Sequence, residues 1–191
     1  MTEPTLRPPV IDLGAREALS GRCPSGALFL DRDGVINVDK GYVHEPSKFE
    51  WCEGITDLIR LAWRHDLVPI IVTNQAGIAR GYYDEDQFIA FSGWIHERLA
   101  AAAAPALATY YCPHHPSAGI GALRARCGCR KPGNAMVEAA IADWGISRSR
   151  SYLVGDKVSD IQAAARSRLA GAVLVGPDSA DAATRGVGML H

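Results

Sequence analysis

Short apolar runs alternate with longer segments of helical periodicity along this chain, and that alternation constrains the fold more than any other feature. The apolar runs are short enough to be buried strands and lie at residues 27–30, 67–72, 107–111, 151–155 and 172–176. The segments between them carry apolar residues at helical spacing and lie at residues 54–66, 84–104, 134–145 and 158–171. Strands that alternate with helices connect through right-handed crossovers and form a parallel sheet. The sequence therefore predicts a three-layer, Rossmann-like α/β fold with helices on both faces of the sheet.

The alternating pattern describes one domain that is preceded by an extension. The chain has 191 residues, of which 48% are hydrophobic, and this suffices for a single core. Residues 1–25 contain several prolines, so we assign them to an N-terminal extension and residues 26–191 to the domain. No large cap domain is inserted between the strands. We expect an open site, covered only by a loop insertion at residues 110–132.

Charge and hydropathy exclude several classes of partner. The formal net charge is −1, and no basic run marks a nucleic-acid site. No apolar run reaches the ~20 residues that span a bilayer, and the N-terminus lacks the apolar segment of a secretory signal. We therefore expect a cytoplasmic protein that binds neither nucleic acid nor membrane. Because the sequence has no coiled-coil pattern or large insert, we expect a monomer.

Several predicted strands end in polar side chains that suit a phosphate and a divalent cation. The first strand ends at Asp31, the second at Thr73 and the fourth at Asp156. In an open α/β sheet, ligands bind outside the carboxyl ends of the strands. Clustered carboxylates repel one another unless a cation lies among them, and hard oxygen ligands suit Mg²⁺. The alternative, in which each acid only caps a turn or a helix, does not explain why Asp31, Asp33 and Asp156 all lie at strand ends.

The stretch Asp31-Arg32-Asp33-Gly34 delivers two carboxylates into a glycine turn. Successive side chains of a strand alternate between its faces, so we expect Asp31 and Asp33 to share one side and Arg32 to point away. A hydrolysis that proceeds by two displacements needs one nucleophilic carboxylate and one proton shuttle. The spacing of these two acids fits that pair of roles.

Two lysines and a further aspartate accompany these acids. Thr73, Lys131 and Lys157 can donate hydrogen bonds to a phosphoryl group, and the lysines add positive charge. A cation at the N-terminus of a helix is unfavourable unless an anion lies nearby, so Lys157 favours an anionic ligand. Asp160, one helical turn after Asp156, either supports this site or is an ordinary helix cap.

The loop at residues 110–132 contains three of the five cysteines and two histidines. In an extended segment, residues i and i+2 face the same way. Cys112 can therefore converge with His114, and Cys127 with Cys129, while His115 faces the other way. The candidate ligands are Cys112, His114, Cys127 and Cys129. Three thiolates and one imidazole are the ligands of a closed, tetrahedral structural zinc site. A redox-active or merely buried cysteine cluster is the alternative.

Four short motifs, in this order, resemble those of the haloacid dehalogenase superfamily of phosphatases. They are DRDG after the first strand, TNQ at 73–75, RKP at 130–132 and GDKVSD at 155–160. The resemblance covers residues 27–176. It implies that Asp31 is the nucleophile and forms an aspartyl phosphate, and that Asp33 acts as general acid and then as general base.

The same resemblance assigns the phosphate and metal contacts. It implies that Thr73 and Lys131 hold the oxygens of the transferring phosphoryl group. It also implies that Mg²⁺ is bound by Asp156 together with the side chain of Asp31 and the backbone carbonyl of Asp33.

The cysteine loop, together with DRDGVIN and GYV upstream, narrows the resemblance to two families that share this loop. These are the heptose-bisphosphate phosphatases and the histidinol-phosphate phosphatases. The first family implies a set of substrate-binding residues: Asp39, Lys40, Gly41, Tyr42, Asn74, Gln75, Arg130 and Lys157. Without the resemblance, residues 39–42 are equally consistent with an exposed turn.

Basic side chains around the predicted site favour an anionic substrate. The resemblance to the heptose-bisphosphate phosphatases then implies a Mg²⁺-dependent phosphatase that removes the 7-phosphate of D-glycero-D-manno-heptose 1,7-bisphosphate during the synthesis of nucleotide-activated heptose for lipopolysaccharide or capsule. Histidinol-phosphate phosphatase is the alternative enzyme. A zinc-stabilised binding protein without catalytic activity is the alternative from another class, and the presence of both aspartates argues against it.

Overall fold

Six strands form a single mixed sheet in the computed structural model, which describes residues 8–12, 19 and 24–176. The strands are β1 (Val10–Ile11), β2 (Gly26–Leu30), β3 (Leu67–Asn74), β4 (Ala108–Cys112), β5 (Tyr152–Gly155) and β6 (Gly171–Leu174). Their order across the sheet is β1-β4-β3-β2-β5-β6. The chain turns to opposite sides of β2 to form β3 and β5, and an open α/β sheet binds its ligands at such a switch point.

Five helices pack on the two faces of the sheet. They are α1 (Ile55–Arg64), α2 (Ala76–Arg80), α3 (Glu85–Ala101), α4 (Ala135–Trp144) and α5 (Val158–Arg166). Within the described residues, no helix is both long and apolar enough to cross a membrane.

The core consists of two apolar layers that share the central strand. In β2, Ala27 and Phe29 contact the layer that contains α4 and part of α5. Leu28 and Leu30 contact the layer that contains α1 and α3. Every residue of β2 is buried because both faces of a parallel sheet are covered. The predicted three-layer α/β fold without a large cap is confirmed.

The antiparallel edge strand β1 was not predicted. Val10 pairs with Tyr110 and Ile11 with Thr109, so part of the predicted N-terminal extension completes the sheet beside β4. Two residues after a proline pair are too few for strand periodicity to appear in the sequence. The strands β2 to β6 are parallel to one another, as predicted. Residues 177–191 of the predicted domain lie outside the described residues.

Helix boundaries follow local signals in the sequence. Asp84 caps α3 by accepting a hydrogen bond from the backbone N–H of Gln87, and the backbone N–H of Asp84 donates to Gln87 Oε1. Gly145 ends α4 in the left-handed conformation, with φ of 64°. The short helix α2 was not predicted because five residues carry no measurable period.

Candidate active site

The end of β2 brings Asp31 to the centre of the sheet edge. Asp31 is 5% exposed, and its backbone N–H donates to the carbonyl of Val154 at 2.9 Å, which joins the end of β2 to β5. The chain then turns at Gly34, where φ is +89°. A Cβ atom on Gly34 would lie 2.4 Å from Asp156 Oδ2, so this turn requires glycine. The turn therefore packs backbone directly against a second carboxylate.

Lys131 places a buried cation beside Asp31. Its Nζ contacts Asp31 Oδ1 at 2.8 Å and Asp160 Oδ1 at 2.7 Å, and it donates to the carbonyl of Val72 at 2.8 Å. Burial opposes the charged form, but the two carboxylates raise the pKa of Lys131 above its usual value. Lys131 is thus an ammonium group beside Asp31, where it can neutralise charge on a phosphoryl group.

Asp31, Asp156 and Asp160 form a cluster that can hold a divalent cation. Their oxygens lie within 4.8 Å of one another. Asp156 Oδ1 is buried and has no hydrogen-bond partner. Burial, followed by the charge of Asp31, raises the pKa of Asp156 to about 6, although the nearby Lys157 ammonium opposes this shift. The donor set is all oxygen and fits Mg²⁺.

Asp160 contacts Lys131 and also caps the N-terminus of α5. It is 1% exposed. One oxygen contacts the ammonium group of Lys131, and the other accepts a hydrogen bond from the backbone N–H of Lys157 at 3.0 Å. With both oxygens engaged by the protein, Asp160 is suited to hold Lys131 rather than to bind a metal directly.

Asp33 lies apart from the acid cluster, and the reason is Arg32. The Arg32 guanidinium turns back onto the Asp33 carboxylate, with Nη2 at 2.9 Å from Oδ1 and 2.8 Å from Oδ2. The expectation that Arg32 points away was wrong, because β2 ends at Leu30 and the alternation of a strand does not extend into the turn.

A chain of polar side chains links Asp33 to Thr73 and to the interior. Gln75 Nε2 donates to Thr73 Oγ1 at 2.8 Å and lies 3.3 Å from Asp33 Oδ2. Tyr83 donates its hydroxyl hydrogen to Gln75 Oε1 at 2.6 Å. Burial raises the pKa of Tyr83 to about 12, so this phenol stays protonated as a donor. Gln75 is 1% exposed, and its polar atoms have protein partners.

The segment at residues 39–42 borders the acid cluster through Lys157. Lys157 Nζ lies 3.3 Å from Asp39 Oδ2 and 3.2 Å from Asp156 Oδ2. Burial opposes the charge on Lys157, but Asp156 and Asp31 raise its pKa. Tyr42 is exposed and packs edge-on against Tyr82 at 4.8 Å between ring centroids. The side chain of Lys40 instead pairs with Glu50 at 2.6 Å.

The four predicted zinc ligands converge. Their ligand atoms, one from each residue, lie within 4.8 Å of one another. Cys129 Sγ is 3.1 Å from Cys112 Sγ, 3.2 Å from Cys127 Sγ and 3.5 Å from His114 Nδ1. These sulfur separations are far longer than the ~2.05 Å of a disulfide bond and approach the ~3.8 Å edge of a tetrahedral zinc–thiolate site. The donor set therefore fits zinc.

The cysteine–histidine cluster is joined to the edge of the sheet that carries Asp31 through β4 and through Arg130. Cys112 is the last residue of β4, and its carbonyl accepts a hydrogen bond from the backbone N–H of Gln75 at 2.8 Å. Arg130 Nη1 donates to the carbonyl of His114 at 3.3 Å. His115 faces away, as predicted, and its Nδ1 accepts from the backbone of Ala118 at 3.0 Å.

Known proteins share this sequence and architecture. A family model described as HAD-hydrolase-like matches residues 128–185. A D-glycero-β-D-manno-heptose-1,7-bisphosphate 7-phosphatase from Haemophilus influenzae is 43% identical over 78% of this chain and 80% of its own. A D-glycero-α-D-manno-heptose-1,7-bisphosphate 7-phosphatase from Burkholderia mallei is 50% identical over 72% of both chains.

The chain belongs to the heptose-1,7-bisphosphate 7-phosphatase family.

A solved structure of this family shares the fold. It is a D,D-heptose 1,7-bisphosphate phosphatase from B. bronchiseptica complexed with magnesium and phosphate, with a TM-score of 0.72 and 29% identity. The match covers 84% of this chain and 87% of the solved chain. The predicted membership of the haloacid dehalogenase superfamily, and the narrower resemblance to the heptose-bisphosphate phosphatases, are confirmed.

The structure brings most of the predicted site residues of this heptose-bisphosphate phosphatase family member to one edge of the sheet. The roles of the individual residues stay predictions. The predicted substrate ligands Asn74 and Gln75 have their side-chain amides bound within the protein. Sequence reasoning missed the contacts of Arg32 and Tyr83. Arg32 adjoins two predicted catalytic acids, which was a usable signal, whereas nothing in the sequence near Tyr83 pointed to the site.

Proposed function

We propose that this chain is a Mg²⁺-dependent phosphatase that removes the 7-phosphate of D-glycero-D-manno-heptose 1,7-bisphosphate. The observation that carries the proposal is the contact of the buried Lys131 ammonium with Asp31 at 2.8 Å, beside the unpartnered oxygen of Asp156. A nucleophilic carboxylate, a cation for the phosphoryl group and an oxygen site for a metal lie together there. The identity to the named relatives supports the choice of substrate.

Asp31 is the proposed nucleophile. Its carboxylate attacks phosphorus, the ester bond to the sugar oxygen breaks, and an aspartyl phosphate forms on Asp31. Splitting the hydrolysis in this way replaces one difficult step by two easier ones. Lys131 and Thr73 are the proposed donors to the phosphoryl oxygens, since both are held at the edge of the sheet next to Asp31.

Asp33 is the proposed proton shuttle. It gives a proton to the departing sugar oxygen and then takes one from the water that attacks the aspartyl phosphate. Asp31 and Asp156, with the backbone carbonyl of Asp33, would hold Mg²⁺, which supplies charge neutralisation for the phosphoryl transfer. Asp160 keeps Lys131 in place through its 2.7 Å contact.

Zinc is proposed as a structural ion. Four protein ligands leave no open position for chemistry, which distinguishes a structural site from a catalytic one. Cys112, His114, Cys127 and Cys129 would bind it, and the closed site would fix the loop that ends immediately before Arg130 and Lys131.

The substrate is expected to lie between the segment at residues 39–42 and the zinc loop. Asp39, Lys40, Gly41, Tyr42, Asn74, Gln75, Arg130 and Lys157 are the proposed substrate-binding residues. Lys157 and Arg130 supply positive charge for a second phosphate, and Asp39 can accept hydrogen bonds from sugar hydroxyl groups. We also propose that the enzyme works as a monomer in the cytoplasm.

Phosphate release in the presence of Mg²⁺ tests this function. Three substrates are compared side by side: the α and β anomers of the heptose 1,7-bisphosphate, and histidinol phosphate. Preference for a bisphosphate supports the proposal, and the anomer ratio decides between the two named activities of the relatives. Preference for histidinol phosphate would keep the mechanism and contradict the proposed substrate. No turnover of any of the three would contradict the proposed activity.

A further inference from the structure

Arg32 is an internal cation whose charged partner is a proposed catalytic group. It is 1% exposed, and within the described residues Asp33 is the carboxylate with which it forms an ion pair. A buried guanidinium without a counter-ion is costly, so this pair persists only because the geometry is good. Both oxygens of Asp33 accept hydrogen bonds from Arg32, which is the strong, directional arrangement of an arginine and a carboxylate.

The guanidinium itself is held from several sides. Arg32 Nη2 also donates to the carbonyl of Val43 at 2.7 Å. Its Cζ lies 5.7 Å from the ring centroid of Phe88 and 5.6 Å from that of Phe91. A cation that contacts two aromatic rings and a backbone carbonyl has little freedom to move. Arg32 is therefore a rigid support and not a mobile surface charge.

Further donors fix the direction of the Asp33 side chain. Asn37 Nδ2 donates to Asp33 Oδ1 at 3.0 Å, and Gln75 Nε2 lies 3.3 Å from Oδ2. The Asp33 side chain is 17% exposed, whereas that of Arg32 is 2% exposed, so solvent reaches the carboxylate but not the guanidinium. We propose that Arg32 is a positioning residue that aims the Asp33 carboxylate for proton transfer; this rests on the proposed role of Asp33.

The proton balance of the reaction defines what Arg32 contributes. In the first displacement the P–O bond to the sugar breaks, and the Asp33 O–H proton moves to the sugar oxygen. In the second, water forms a new P–O bond while the bond between phosphorus and Asp31 breaks, and the water proton returns to Asp33. Arg32 fixes the orientation of the Asp33 carboxylate and takes no proton itself.

The dependence on the leaving group tests this proposal. A sugar oxygen needs a proton as it leaves, whereas p-nitrophenolate does not, so in the first displacement, which kcat/KM reports, only the sugar ester depends on an aimed Asp33. For Arg32→Lys we expect kcat/KM to fall about 100-fold for the sugar bisphosphate and less than about threefold for p-nitrophenyl phosphate. Arg60→Lys is the matched control, because Arg60 donates to the carbonyl of Ala102, away from the site. Equal losses for the two substrates would overturn the proposal.

A double-mutant cycle separates positioning from a structural role. In the Asp33→Asn background, Arg32→Lys should lower kcat/KM for the sugar ester by less than about twofold, since the two residues act as a unit. Additive losses would contradict positioning. If Arg32→Lys does not fold, Arg32→Met is compared with Arg32→Met/Asp33→Asn. If Arg32 and Asp33 form a buried ion pair, the double variant should have a higher Tm than Arg32→Met alone. An equal or lower Tm of the double variant would overturn the pairing.

Failure of the proposed function remains distinguishable from failure of this inference. If the wild-type enzyme turns over histidinol phosphate and not the heptose bisphosphate, the proposed substrate is wrong, and the same comparison is made with histidinol phosphate. If the wild type hydrolyses no sugar or alkyl phosphate, both the function and the role of Arg32 are contradicted.

Discussion

Asn74 forms two hydrogen bonds to the backbone of Lys131 through the oxygen and the nitrogen of its side-chain amide. Its Oδ1 accepts from the N–H of Lys131 at 2.9 Å, and its Nδ2 donates to the carbonyl of the same residue at 3.1 Å. Asn74 is the last residue of β3, whereas Lys131 lies 57 residues later, near the end of the loop at residues 110–132. The pair of hydrogen bonds therefore joins the sheet to the residue whose ammonium contacts Asp31.

The first prediction concerns these two hydrogen bonds between Asn74 and Lys131. Asn74→Ala should lower kcat by about tenfold and the free energy of unfolding by about 1–3 kcal/mol, because both backbone groups of Lys131 lose a partner. Steady-state kinetics and chemical denaturation measure the two effects. Gln87→Ala is the control, since it weakens the cap of α3 without touching Lys131. Unchanged kcat in Asn74→Ala would show that the sheet does not position the lysine.

Removal of zinc should destabilise the protein. Binding of a structural metal is coupled to folding, so chelation of zinc is expected to lower the melting temperature by about 10 °C, equivalent to a few kcal/mol for a chain of this size. Cys129→Ser should reproduce the loss, while Cys52→Ser, outside the cluster, should not. An unchanged melting temperature after verified loss of zinc would refute the structural role. Removal of Mg²⁺ alone should abolish activity with little unfolding.

Buried His96 predicts a loss of stability in mild acid. Its Nε2 lies 2.8 Å from Thr109 Oγ1, and burial lowers the pKa of His96 below its usual value of about 6.5. Because the folded-state pKa is the lower one, the unfolded chain binds more protons once the pH falls below about 6.5, and stability drops. This contribution is fully present above that pH.

Denaturation midpoints between pH 5 and about 7.5 measure the effect, over the range in which a histidine titrates. His96→Gln should flatten the loss of stability relative to wild type. His65→Gln serves as the matched control, since His65 is exposed at the end of α1. If stability falls with pH at the same slope in wild type and in His96→Gln, the acid sensitivity comes from other groups.

Much of this architecture was readable from the sequence because the central elements agree at several levels. The run at residues 27–30 is apolar, short and followed by Asp31, and it became the fully buried strand β2. The CxH and CxC spacings likewise predicted the cluster around Cys129, since period-two alternation in extended chain is local.

Other features depend on side-chain and edge-strand contacts that the periodicity of the sequence does not encode. The edge strand β1 exists because β4 offers it hydrogen bonds, not because two residues prefer to be extended. Tyr83 follows α2 and reaches back to Gln75, the residue before that helix. Arg32 turned toward Asp33 because a buried guanidinium requires a counter-ion, and this requirement overrode simple alternation.

The role of Asp31 is tested most directly by phosphate release from Asp31→Asn. The variant keeps the shape of the side chain, so far-UV circular dichroism, zinc content and a cooperative melting transition should show that it is folded. We predict that turnover of the heptose 1,7-bisphosphate with Mg²⁺ falls by about a thousandfold or more, since loss of a nucleophile removes the covalent step. Phosphate release at the wild-type rate from the folded variant would contradict Asp31 as the nucleophile and, with it, the mechanism proposed for this site.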